Sequence, residues 1–228
     1  MTEDNRAALC VTLTAPVVSF RNHLYSGVQV TLPCPAPTTV GGLLAAAAGG
    51  WDRVDPGLRF AMAFHAAGTG VDLETYHPLG AAGKTTTPAP RTREFLAGAT
   101  LTLWLVDEID LWRHRLRRPV WPIRLGRSQD LVGIRIGTTT LRPREGEQRS
   151  AVVPAFPKAG GTLLRLPTAV APGRDRTRWG DYRHDAVGRS HVIVPDSLTG
   201  PDGEAVVLLP HVHPRAALGS NGGIGERA

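Results

Sequence analysis

Residues 31–50 read TLPCPAPTTVGGLLAAAAGG. Three prolines stiffen the entry, since each fixes its own φ. Thr38 or Thr39 is then a natural N-cap, because its hydroxyl can accept from a free N–H of the first turn. Val40, Leu43, Leu44, Ala47 and Ala48 share one apolar face, and Gly49 is a natural stop. The stretch predicts a helix of about three turns. Gly41 and Gly42 stand in its first turns, so something comes close to this helix. Free N–H groups at the positive end of a helix dipole suit a phosphate. Glycine also lets a helix pack tightly on a neighbouring strand. The sequence leaves both readings open. The run is neither a Walker loop, which ends in Gly-Lys-Ser/Thr, nor GxGxxG.

Outward from this helix the chain alternates strands and helices. Ahead of it, LCVTLT (9–14) sets Leu9, Val11 and Leu13 against Cys10, Thr12 and Thr14, a strand with one buried face. Pro16 ends that run, and SFRNHLYSG follows as an irregular connection. After the helix, GLRFAMAFH (57–65) alternates through Leu58, Phe60, Met62 and Phe64, and VDLETY (71–76) can pair back with it across the glycine turn GTG. Residues 77–93 have no apolar period and three prolines, the mark of a projecting loop.

TLTLWLV (100–106) is a further strand. DEIDLWRHRLRRP forms a short helix with Ile109, Trp112 and Leu116 on one face, acids first and arginines last, as the dipole favours. LVGIRIGTTTL (131–141) closes the series. This order predicts an α+β fold: a ferredoxin-like βαββαβ domain over residues 1–145 with a thumb at about 77–93. Residues 150–214 hold TLLRL, HVIVP and AVVLLP between proline and glycine turns, which predicts a smaller, mostly β region. Residues 215–228 read as a disordered tail.

The net charge of +6 on 228 residues suits a polyanionic partner. All but two of the 26 basic residues are arginine, a bias that a GC-rich genome also produces. Cys10 and Cys34 are the two cysteines, the N-terminus lacks a secretion-type apolar core, and no apolar run nears the ~20 residues of a membrane span. The chain therefore reads as cytoplasmic, with reduced thiols and no membrane partner.

Several residues can meet a phosphate or a base. Arg21 follows the first strand in FRN, with Asn22 and His23 beside it. The run LWRHRLRRPVWPIRLGR (111–127) carries Arg113, Arg115, Arg117, Arg118, Arg124 and Arg127 with no acid, interleaved with Trp112 and Trp121. Such a mixture fits single-stranded nucleic acid, where phosphate pairing and stacking add. The aromatic signature of an RRM sheet is absent. His211 and His213 have the spacing of two residues on one strand face, but no third metal ligand accompanies them in a known pattern. GxSxG and CxxC are missing too, so no metal or cofactor is expected.

Three of these stretches, in order, resemble the Cas-five family of CRISPR-associated RAMP proteins: PVVSFRN, then TLPCPAPTTVGGLLAAAAG, then IRLGRSQDLV. They match a first strand running into Phe-Arg, a P-x-P-T-T/S-V-x-G-L-L helix start and a later L-G-R-S turn. The spacing is most like the type I-B and I-A members. The resemblance implies a subunit of the Cascade surveillance complex that caps the backbone subunits, meets the large subunit, grips the 5′ handle of the crRNA and lies close to target DNA. By position it implies RNA contacts for Phe20, Arg21 and Asn22 with His23, for Thr38, Thr39, Gly41 and Gly42, and for Arg127 and Ser128 with Arg124 nearby. Lys84, Arg91 and Arg93 fall on the implied thumb. A type I-C subgroup cuts precursor crRNA without metal, using a Tyr, Lys and His set. Here the helix has no Tyr and neither Lys84 nor Lys158 adjoins a His, so the expected role is non-catalytic, with that endoribonuclease activity as the alternative.

Overall fold

The computed structural model describes residues 5–22, 25, 29–76 and 87–218. Six elements carry the N-terminal half: β1 (Arg6–Val18), α1 (Pro37–Ala48), β2 (Ala61–Tyr76), β3 (Ala89–Leu105), α2 (Ile109–Arg117) and β4 (Gly133–Leu141). The four strands form one antiparallel sheet in the order β2-β3-β1-β4. Because side chains alternate across a strand, Leu9, Val11 and Leu13 of β1 enter one core with Phe60, Met62 and Phe64 and with Leu101, Leu103 and Leu105 of β3. Both helices close that core, α1 through Val40, Leu43 and Leu44 and α2 through Trp112 and Leu116. On the opposite sheet face Ala8, Ala61 and Trp104 meet Leu141 and Val206.

The strands are longer than alternation alone predicts. β1 runs through Pro16 to Val18. β4 stops pairing with β1 at Thr14, so the missing N–H of Pro16 falls where one side of the strand has no partner in the sheet. The expected turn at GTG is not a turn. Residues 61–76 are one strand, and 71–76 pair with 89–94 instead of folding back on 57–65. Gly70 is needed there for a different reason: a Cβ would stand 2.4 Å from the Phe95 ring, which lies across the glycine. β2 and β3 thus form a long hairpin whose outer pairs, Gly70↔Phe95 to Tyr76↔Ala89, extend past the last β1 pair, Val18↔Leu96. The thumb expected at 77–93 therefore includes strand at its 89–93 end; residues 77–86 lie outside the described residues.

Downstream, β6 (Val153–Pro154), β7 (Thr162–Val170) and β8 (Thr177–His184) make a three-stranded sheet in the order β6-β8-β7. Two short pairs join β5 (Gly146–Glu147) to β9 (Ile193–Val194) and β10 (Leu198–Thr199) to β11 (Ala205–Val206). β8 is a strand that sequence reading misses, because TRWGDYRH buries only Tyr182 and His184. Val152, Leu166, Tyr182, Leu209 and Val212 join the main core, so this region packs on the N-terminal sheet and helices. Pro214–Ala217 form a turn of 3-10 helix, and Arg176 donates to the Leu218 carbonyl, so ordered chain extends past residue 215. No helix among the described residues is long and apolar enough to cross a membrane.

Candidate nucleic-acid interface

The stretch after β1 is held on two sides. Ser19 N–H donates to Asp130 Oδ2 at 3.3 Å, and the Ser19 hydroxyl donates to the Glu94 carbonyl at 2.9 Å. Phe20 N–H donates to Thr31 Oγ1 at 2.9 Å, while Thr31 N–H donates to the Glu94 carboxylate at 3.1 Å. Leu32 N–H returns to the Phe20 carbonyl at 2.7 Å, and Asn22 N–H to that of Val30 at 2.8 Å. Segments far apart in sequence, 19–22, 29–32, 93–94 and 126–130, therefore form one hydrogen-bonded clamp at the hairpin base. These are the three motif regions of the sequence brought together, and Glu94 of the hairpin joins them.

The LGRS turn is locked into this clamp. Asp130 accepts from Arg127 N–H at 3.0 Å and from Arg127 Nε at 3.0 Å, with only 3% of the Asp130 side chain exposed. Gly126 has φ +101°, a conformation that favours glycine, and a Cβ there would lie 2.6 Å from the Ser19 carbonyl oxygen. Arg127 Nη1 is buried without a hydrogen-bond partner among the described residues. Arg127 thus braces the turn by holding Asp130, which in turn accepts from Ser19, and Ser128 beside it is exposed. Arg93 is also a strut. Its side chain is 8% exposed and pairs with Asp72 at 2.9 Å through Nε and with Glu74 at 2.7 Å through Nη1. The hydrogen bond from Arg93 holds the Asp72 carboxyl below the usual carboxylate range.

Phe20, expected at the RNA, has its ring turned into the core at 4% exposure, edge-on to Phe64 at 5.5 Å. Arg21 next to it is exposed. That alternation is the consequence of an extended backbone, where successive side chains point to opposite sides. Asn22 is half-buried, while Arg91 and Arg124 are exposed. His23 and Lys84 lie outside the described residues. Of the arginine run, Arg113 pairs with Asp110 and Arg115 lies over the buried Trp112 at 5.0 Å. Trp112 is therefore core, whereas Trp121 is exposed and its N–H caps the end of α1 at the Ala46 carbonyl.

The start of α1 differs from its expected capping. Ala36, not a threonine, is the N-cap, with Pro37 at N1 and no side-chain cap. Proline suits N1 because its missing N–H is one that the helix cannot satisfy internally. The Ala36 carbonyl accepts from Thr39 at 2.9 Å and from Val40 at 3.3 Å. Gly49, with φ +93°, ends the helix as expected. Gly41 is buried, and a Cβ there would approach Val212 to 2.8 Å and Trp51 to 2.9 Å. Its close partner is the C-terminal segment, so the packing reading is the right one for this glycine. Gly42 has open space around it and, with Thr38, lines a cavity.

The residues that sequence reading missed are Ser19, Thr31, Glu94, Asp72, Glu74 and Asp130. Only Asp130 carried a local signal, three residues after Arg127 within one turn. Among the described residues no cluster of three or more His, Cys, Asp or Glu could hold a metal. His211 is exposed, and His213 is buried with Nε2 donating to the Trp51 carbonyl at 3.0 Å. Both cysteines are free.

The fold is that of proteins from CRISPR systems. One solved chain, from a structure described as "CRISPR RNA-guided surveillance complex", is 18% identical with a TM-score of 0.54, covering 92% of this chain and 97% of that one. Another, "Crystal structure of a CRISPR protein from Archaeoglobus fulgidus", is 13% identical with a TM-score of 0.52, over 89% of this chain and 98% of that one. No curated protein matches. A family profile described as CRISPR-associated protein (Cas_Cas5) matches residues 8–198. The chain belongs to that family.

Proposed function

We propose that this chain is a non-catalytic crRNA-binding subunit of a type I Cascade complex, most like the I-B and I-A kinds, that holds the 5′ handle of the guide. In this reading it is a cytoplasmic RAMP protein whose ferredoxin-like domain caps the backbone subunits, with the β2–β3 hairpin as its thumb. The large subunit and target DNA lie nearby. The sheet order β2-β3-β1-β4, with α1 and α2 sharing one core, supports the ferredoxin-like plan. Family membership and the likeness to a chain of a surveillance complex support the assembly.

The observation that carries the proposal is the clamp. Four segments fix the backbone on both sides of Phe20, which leaves Arg21 exposed beside a rigid frame. A guanidinium held on a fixed backbone meets a phosphate with less ordering cost than one on a free loop. Two histidines, His184 and His213, are buried with Nε2 engaged by a backbone carbonyl, which takes them out of any cutting role, while His114 is exposed and is the one the test must address.

The test is incubation of purified protein with repeat-derived RNA in the presence of a chelator. The expected outcome is salt-sensitive binding with the RNA left intact. Metal-independent cleavage that His114→Ala abolishes would replace this reading with the endoribonuclease one.

A further inference from the structure

A cavity of about 660 Å³ opens where α1 begins. Thr38 and Gly42 form one side, the 3-10 turn Trp51–Arg53 another, and the β7–β8 loop and the turn Pro214–Ala217 the rest. Trp51, Pro172 and Pro214 give it flat apolar walls. His213 stands edge-on to Trp51 at 5.4 Å and accepts the Arg215 N–H on Nδ1 at 3.2 Å, while Nε2 donates to the Trp51 carbonyl. One buried imidazole therefore fixes both the aromatic wall and the backbone that carries Arg215.

Two cations stand at this cavity without an ion pair among the described residues: Arg174 and Arg215, both exposed. Arg174 has φ +58°, unusual for a residue with a side chain, and its N–H closes the loop on the Ala171 carbonyl at 2.8 Å. Their neighbour Arg176 is engaged instead, with Asp175 and the Leu218 carbonyl. Asp52 is the one carboxylate among the lining residues, so two positive charges and one negative leave the site net positive. Its size lies within the roughly 300–1,000 Å³ of small-ligand sites.

Guanidinium groups beside a flat aromatic wall are the chemistry that holds a phosphate and stacks a base. We infer that the cavity seats a single nucleotide of bound RNA, with its phosphate on Arg174 and Arg215 and its base against Trp51 and the prolines. This rests on the RNA-binding role proposed above and extends it to the C-terminal region, which supplies both arginines.

The test uses the full chain and a fluorescein-labelled single-stranded RNA of about eight nucleotides. Two variants probe the cavity from opposite sides. Arg174→Ala with Arg215→Ala removes the cations. Gly42→Leu fills the space from α1, at a position where a Cβ meets nothing within 4 Å. Both are expected to weaken RNA binding roughly tenfold, and the arginine pair also to flatten the slope of log affinity against log salt by about 0.7 per lost phosphate contact. If Gly42→Leu binds as native while the arginine pair loses affinity, phosphate is held outside the cavity and the inference falls. If both bind within about twofold of native while Arg21→Ala does not, the inference falls and the handle reading stands. Native binding by all three variants overturns both.

Discussion

At the base of the hairpin, Arg93 and Arg127 have side chains 8% and 19% exposed and rest on Asp72, Glu74 and Asp130. At the α1 cavity and beside the clamp, Arg174, Arg215 and Arg21 are exposed and form no ion pair among the described residues. The residue type is the same in both regions, and an ion pair makes the difference. Where one is present, arginine braces the fold through several donors in a rigid fork. Where none is, the charge stays available to a phosphate. The count of basic residues therefore overstates the surface open to a polyanion, since Arg93 and Arg127 are spent inside the clamp.

The largest effect should come from breaking the braced region. Asp130→Ala leaves the mostly buried Arg127 guanidinium and the Ser19 and Arg127 N–H groups without their acceptor. Loss of one partner of a buried pair costs about 3 kcal/mol, measured as a lower midpoint in urea. A variant of native stability would show that the turn is not held as described.

Two adjacent glycines offer the next contrast. Gly41→Ala pushes a methyl into Val212 and Trp51 and should cost about 1–3 kcal/mol. Gly42→Ala meets open space and should gain up to about 1 kcal/mol from helix propensity. Thermal unfolding of the two variants side by side checks the opposite signs; equal shifts would contradict the packing.

The smallest stability effect concerns pH. Burial pushes the His184 imidazole below its usual range, and Nε2 sits 2.9 Å from the Phe64 carbonyl oxygen. The unfolded chain then binds this proton more readily than the folded one. The contribution to stability is full above the unfolded histidine pKa near 6.5 and is lost as pH falls through the folded value. Melting temperature should drop from pH 7 to pH 5, and less steeply in His184→Gln. Parallel slopes would assign the pH dependence to other groups.

Alternation and apolar period exposed the strand and helix order, because burial on one face leaves that mark in the residues themselves. They were silent on the hairpin's continuity. Gly68 and Gly70 resemble turn residues, yet Gly70 accommodates Phe95, a partner 25 positions away. The helix cap was misread because Pro37 at N1 outranks the threonines that follow it. The motif residues did mark the clamp region, since all three motifs meet there. Their individual roles were hidden. Phe20 alternates inward, and Arg93 is neutralised by Asp72, 21 residues earlier on the facing strand. The cavity arginines, Arg174 and Arg215, lie over 130 residues from Thr38, so no local pattern could join them to the start of α1.

The central claim is that free arginines on a braced frame grip RNA, and Arg21 tests it most directly. Affinity of the native chain and of Arg21→Ala for a 5′-handle RNA should be measured across a range of salt. The prediction is weaker binding and a slope shallower by about 0.7, the loss of one phosphate contact on a single strand, at an unchanged melting temperature. Equal affinity and equal slope in the two proteins would contradict it.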